Sequence, residues 1–248
     1  MVAPRSVLLD LDPAYDLQPR LRRAVDAVLT PPPLPRWLCP AEGAAAARRA
    51  LQQLPSRPCL VFLGSGDYHY LSALLIERVR EPFTLILVDR HADDADDWGP
   101  GFLSCGGWVR QARRWSWLRG VVHLGRGPLP GAAEVLAALP TPAVYVSVDK
   151  DALREDEAGT GWGSGSIALA DLLDLLAAIF SRRRPVGMDV CGELSPRLPG
   201  CPTAAEQATI ARNEQANLAL LALWRRAAGR PGVAPGSSRQ APGSRGAV

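Results

Sequence analysis

Short apolar runs alternate with helix-patterned stretches along this chain, and that alternation leaves few folds open. Runs of mostly apolar residues occupy 6–11, 59–64, 84–89, 120–125, 143–149 and 185–190. Runs of about four to eight such residues read as buried strands. Between them lie stretches with helical patterning. These cover 18–29 (with Leu21, Val25 and Val28 on one face), 41–54, 70–79, a short one near 105–114, 131–139, Ile167 to Phe180 behind Ser166 as N-cap, and 204–227. Strands alternating with helices predict an α/β fold, with a mainly parallel sheet and helices on both faces. Six strands are evident, and 30–40 and 94–104 leave room for an edge strand or two.

Three of the predicted strands end in chemically able side chains. In parallel α/β sheets, ligands bind just beyond the carboxyl ends of the strands. Leu85-Ile86-Leu87-Val88 runs into Asp89, His91 and Asp93. If the backbone stays extended, that spacing turns all three to one side. The strand 59–64 leads through Gly64, Gly66 and Asp67 to His69, and the strand 143–149 leads into Asp149-Lys150-Asp151. The set offers four carboxylates and two imidazoles. Two hard divalent cations bridged by carboxylates fit it, and oxygen-rich ligation with some imidazole suits manganese better than zinc. Paired cations of this kind activate water near neutral pH. Alternation points Lys150, the only lysine in the chain, away from the cations.

Composition removes several alternatives. The net charge of +3 equals the three arginines of the tail, Arg230, Arg239 and Arg245, so the body is neutral. A neutral body carries no electrostatic footprint for nucleic acid. Five scattered cysteines, Cys39, Cys59, Cys105, Cys191 and Cys201, form no C-x-x-C pair. They argue against a disulfide framework and for a reducing compartment. No segment approaches the roughly 18 uninterrupted apolar residues of a membrane span. Residues 1–20 hold acids where a signal peptide needs its apolar core. These readings predict a cytoplasmic protein. Its body spans 1–228, and its Gly-, Pro-, Ser- and Arg-rich tail, 229–248, has too little to bury and is expected to be disordered.

The order Gly-rich loop with His69, then Asp89-x-His91-x-Asp93, then Asp149-x-Asp151 resembles the arginase/agmatinase (ureohydrolase) family. The family's later E-x-N-P motif is matched by Glu193-Leu194-Ser195-Pro196, and the similarity runs from about residue 6 to 228. The resemblance implies a three-layer αβα fold and a catalytic domain holding two manganese ions. One ion would take His69, Asp89, Asp93 and Asp149, and the other Asp89, His91, Asp149 and Asp151, with Asp89 and Asp149 bridging. It implies hydrolysis of a non-peptide C–N bond in a guanidino or amidine compound. Asp93 or Asp151 would then orient the nucleophile, and Glu193 would pair with the cationic end of the substrate. A small-molecule substrate and, in a homo-oligomer, further copies of the chain are the expected partners.

The chain departs from the family at specific places. Gly66-Asp67-Tyr68-His69 stands where Gly-Gly-Asp-His is usual. The loop 101–108 carries Cys105 near the position of a family histidine, and no Asp-Pro follows Leu153. Cys105 reads as a substrate-contact position, either a small buried hydrophobe or a thiol, and Trp162 as pocket lining. Trp108, Trp115 and Trp117 read as packing, and His123 as a core histidine. Other readings are a phosphatase built on Asp10-Leu11-Asp12, a single-zinc deacetylase and a non-catalytic ligand-binding protein. The phosphatase lacks a free lysine for the phosphoryl group, and Asp93 and Asp151 exceed what one zinc needs.

Overall fold

The computed structural model describes residues 5–228 except 57, 96, 97, 100, 198 and 199. The tail 229–248 and the acidic pair Asp96 and Asp97 lie outside the described residues. In chain order the elements are β1 (Arg5–Leu9), α1 (Pro19–Ala24), β2 (Ala27–Leu29), β3 (Leu38–Pro40), α2 (Ala41–Leu51), β4 (Cys59–Phe62), α3 (Leu71–Ile76), β5 (Phe83–Val88), β6 (Phe102–Ser104), α4 (Trp108–Ala112), β7 (Leu118–Leu124), α5 (Ala132–Ala138), β8 (Ala143–Asp149), α6 (Leu169–Phe180), β9 (Arg184–Cys191) and α7 (Ala204–Ala228).

Seven strands form one parallel sheet in the order β2-β1-β4-β9-β8-β5-β7. Side chains alternate across it, because successive residues of a strand face opposite sides. Ile86, Val88, Val146 and Val148 enter one apolar layer with Leu172, Leu176, Leu220 and Trp224. Leu85, Leu87, Val61 and Leu63 enter the other with Leu51, Leu71, Leu74 and Trp108. The fold is therefore three-layer αβα, as expected. Helix α6 shows the cause at sequence level. Leu172, Leu175, Leu176, Ile179 and Phe180 recur at helical spacing and are all buried.

Two expectations are corrected. The stretch 18–29 is not one helix: α1 ends at Ala24, and 27–29 is the seventh strand, an edge strand beside β1. Asp26 accepts hydrogen bonds from the Ser6 backbone N–H (2.8 Å) and hydroxyl (3.2 Å), which draws the chain out of the helix and onto the sheet. Ser166 is not the N-cap of α6. That place falls to Ala168, and the Glu157 carboxylate accepts from the Leu169 N–H at 2.7 Å instead. Edge strands do occur within 30–40 and 94–104, but β3 and β6 pair antiparallel with each other, apart from the main sheet.

Candidate metal centre

The site lies at the carboxyl ends of β4, β8 and β5. Its convergence comes from turns more than from extended alternation. β5 ends at Val88, and Asp89 Oδ1 accepts from the His91 N–H at 2.6 Å. Asp149 Oδ1 accepts from the Asp151 N–H at 2.9 Å in the same way. An aspartate bonded to the backbone two residues on folds the chain into a tight turn, so residues i and i+2 both face the site. Asp93 is reached through a left-handed backbone (φ 48°), a conformation that aspartate tolerates better than most residues.

The expected ligands are brought together. His69 Nδ1 lies 2.9 Å from Asp93 Oδ2, 3.3 Å from Asp89 Oδ2 and 3.7 Å from Asp149 Oδ2. His91 Nδ1 lies 2.7 Å from Asp151 Oδ2 and 3.6 Å from Asp89 Oδ1. The ligand atoms of His69, Asp89 and Asp93 fall within 4.8 Å of one another, and so do those of Asp89, His91 and Asp151. A third group, His69, Asp149 and Cys191, meets the same limit. Asp89 thus belongs to two sets, one through each oxygen.

The chemistry of the set fits divalent cations. Asp151 Oδ2 is buried and has no hydrogen-bond partner among the described residues, although His91 Nδ1 is close. Both atoms belong to the compact set that Asp89 completes. Burial pushes Asp89 well above the usual carboxylate range, and Asp149, Asp93 and Asp151 add to it. Burial and Asp149 push Asp151 up to about 8. Burial pulls His69 down, but Asp93, Asp149 and Asp189 outweigh it and lift the ring to about 9. Two dications would remove this conflict, because four carboxylates match their charge. Stripped of metal, the folded protein binds protons more tightly than the unfolded chain, at Asp151 from about pH 4 to 8 and at His69 from about pH 6.5 to 9. Its melting temperature is accordingly expected to fall as pH rises through that range, and manganese added at the alkaline end to restore it. Calorimetry across pH, with and without the ion, checks both.

A relay behind His69 fixes its ring. Ser147 donates to Asp189 Oδ1 at 2.7 Å, so its oxygen is left to accept from His69 Nε2 at 3.0 Å. Nδ1 then faces the carboxylates as a ligand atom. Asp189 is fully buried and is also held by Ser72 (2.9 Å) and Tyr145 (2.7 Å). Register makes the relay possible, since Ser147 on β8 is paired with Asp189 on β9. Trp108 donates from Nε1 to Asp93 Oδ2 at 2.6 Å. The sequence reading missed Ser147 and Asp189, although a polar residue inside each apolar run was their signal. Partners behind a metal ligand typically tune affinity by about tenfold to a hundredfold. Ser147→Ala is expected to weaken metal binding by that order while the fold persists, as titration of metal-stripped protein would report.

Other expected residues fall as follows. Cys105 and Trp162 line the same cavity of about 330 Å³ as the ligands. Burial, then Asp93 and Asp67, pushes the Cys105 thiol up to about 12, which leaves it a neutral S–H. The indole N–H of Trp162 donates to Asp67 Oδ1 at 3.0 Å. Glu193 does not fit its expected substrate role. It is fully buried, ion-paired with Lys150, and accepts from Gln18 (2.6 Å) and Asn217 (2.6 Å). Gly192 stands between it and the site, and a Cβ there would meet Asp149 Oδ1 at 2.3 Å. Lys150 points away from the site, as expected, although a tight turn and not strand alternation sets its direction. His123 Nε2 donates to the backbone oxygen of Asp89 at 2.8 Å and is no part of the ligand sets. Asp10 pairs with Arg22, and Asp12 accepts from the Ala14 N–H, so both serve structural roles. A wider hollow of about 470 Å³ at the amino ends of β4 and β9 contains Arg78 and Glu81 but none of these ligands.

No family model matches the chain. An uncharacterized protein of Thermotoga maritima is 35% identical over 153 residues, covering 58% of this chain and 61% of that one. The chain thus spans about six-tenths of the length of this curated relative. Proclavaminate amidino hydrolase from Streptomyces clavuligerus superposes with a TM-score of 0.63 at 17% identity, covering 92% of this chain and 94% of that one. Formimidoylglutamase from Bacillus subtilis gives 0.57 at 14% identity, covering 88% and 87%. Arginase from Bacillus caldovelox gives 0.56 at 16% identity, covering 88% and 98%. The chain has the arginase-like ureohydrolase fold. No helix among the described residues is long and apolar enough to cross a membrane.

Proposed function

We propose that this protein is a binuclear metal hydrolase that cleaves a C–N bond in a guanidino or amidine compound, with manganese as the preferred ion. The observation that carries the reading is the pair of ligand sets sharing Asp89, with one buried carboxylate oxygen of Asp151 left without a partner. His69, Asp89, Asp93 and Asp149 would hold one ion, and Asp89, His91, Asp149 and Asp151 the other. A cation pair held there would supply an acidified water as nucleophile.

The chain's own residues do the rest. Asp93 Oδ2 is engaged by Trp108 and His69, which makes Asp93 a fixed ligand. Asp151 Oδ2 accepts no hydrogen bond among the described residues, so of the two candidates Asp151 is the one that would orient the attacking water. The Ser147–Asp189 relay keeps His69 in ligating orientation. Trp162 and Cys105 wall the space where the substrate carbon lies. The test is a screen for urea and ammonia release over guanidino and amidine compounds, with manganese added. Release from at least one compound, lost on chelation, is expected. No release from any compound by fully loaded protein would overturn the reading in favour of a ligand-binding protein.

A further inference from the structure

The floor of the cavity explains how ions are held but not what else a substrate brings. Two dications would balance the four carboxylates there. The rim is different: Arg90, Arg126 and Asp94 line it, beside Trp162. That leaves one surplus positive charge at the mouth. Two acids near the cavity are already committed, and Asp94 stands at the rim against two arginines. Glu193 is buried against Lys150, and Asp67 is bonded to Arg36 at 2.6 Å and to Trp162.

Both arginines spring from segments tied to the ligand Asp89. The Arg90 backbone N–H donates to Asp151 Oδ1 at 3.1 Å, which fixes its Cα beside the site. Its guanidinium rests over Gly163, where an added Cβ would lie 2.4 Å from Nη1. The loop carrying Trp162 therefore leaves a place for that side chain. Arg126 follows Gly125, whose φ of +124° lets the chain pass the Asp89 carbonyl, and a Cβ at Gly125 would lie 2.2 Å from that oxygen. Neither guanidinium forms an ion pair with an acid among the described residues.

We propose that the substrate carries a carboxylate at the end away from the scissile C–N bond, and that Arg90 and Arg126 receive it. A guanidinium presents paired N–H donors that match a carboxylate's two oxygens. The inference rests on the hydrolase reading for the scissile end only. It names the substrate class as ω-guanidino or ω-amidino acids, in preference to the corresponding amines.

The experiment uses the full chain loaded with manganese and three compounds differing at the tail: ω-guanidinobutanoate, butylguanidine and agmatine. The carboxylate compound is expected to have the highest kcat/KM and agmatine the lowest. In Arg90→Met/Arg126→Met the preference for carboxylate over methyl should fall by roughly tenfold to a hundredfold, the contribution of charge-assisted hydrogen bonds. Most of that change should appear in KM. Both side chains are exposed, and an unchanged melting temperature would show that the variant is folded. Calorimetric binding of glutarate, which cannot be hydrolysed, supplies the second readout and should weaken in the same variant. Hydrolysis of all three guanidines with equal kcat/KM, unaltered in the variant, would overturn the inference while leaving the hydrolase reading intact. Failure to hydrolyse any of them, with glutarate binding that still depends on the arginines, would do the reverse. Neither hydrolysis nor arginine-dependent glutarate binding would overturn the inference outright.

Discussion

Asp89→Asn is expected to bind no metal at either position and to lose roughly a thousandfold or more of any hydrolytic turnover. Asn keeps the shape of Asp89 but removes the charge that both ligand sets share. Losing cation catalysis costs several kcal/mol of barrier, and about 1.4 kcal/mol is tenfold in rate. The variant should nevertheless fold. In the metal-free protein Asp89 is repelled by Asp149, Asp93 and Asp151, so its neutral replacement relieves strain. The metal-free Asp89→Asn variant should therefore melt no lower than the metal-free parent at pH 8. Elemental analysis and calorimetry on the two proteins decide the matter. Retention of one tightly bound ion would show that Asp89 does not bridge.

The second large effect concerns stability. Lys150 and Glu193 form an ion pair with no solvent exposure, and Lys150 Nζ also donates to Asn217 Oδ1 at 2.9 Å. Removing one partner leaves a buried charge unpaired, at a cost of about 3–5 kcal/mol. Lys150→Met should thus lower the melting temperature by roughly 6–20 °C for a chain of this size. Glu193→Gln should act in the same direction and not mainly on substrate affinity. The double variant should cost less than either single one, because a neutral pair is buried without uncompensated charge. Metal stoichiometry should stay at two throughout, since Lys150 faces away from the ligands. Simple additivity of the two costs would mean that the pair is not the stabilising unit.

What could be read from the sequence follows from which forces are local. An apolar run is a local signal, so β4, β5, β8 and β9 fall where expected and the candidate ligands follow three of them, but the turns that make those ligands converge are not written in the spacing. The fate of Glu193 is not local. Its partners are Gln18 before α1, Lys150 after β8 and Asn217 on α7, and only the packed fold assembles them. A motif match gave Glu193 its substrate role; three distant side chains take the carboxylate away from it. The same reason hides β2. Its segment continues a plausible helical pattern, and the bond between Asp26 and Ser6 across 20 residues overrides it. Ser147 and Asp189 were visible as polar interruptions, but only the β8–β9 register makes them a relay to His69.

The small β3–β6 ribbon stands apart from the main sheet yet supports the rim of the cavity. The Cys105 N–H donates to the Trp37 carbonyl, the Trp37 N–H to the Asp67 carbonyl, and the Ala95 N–H to the Gly106 carbonyl. These bonds run through the ribbon and its neighbours, whereas most of the candidate ligand carboxylates sit on the ends of the sheet strands. A lineage with this architecture can exchange side chains in the loop that follows the ribbon, where Cys105 lines the cavity, and so change what is admitted without moving the candidate ligands beneath. Kinship in fold is then a poor guide to what the cavity admits.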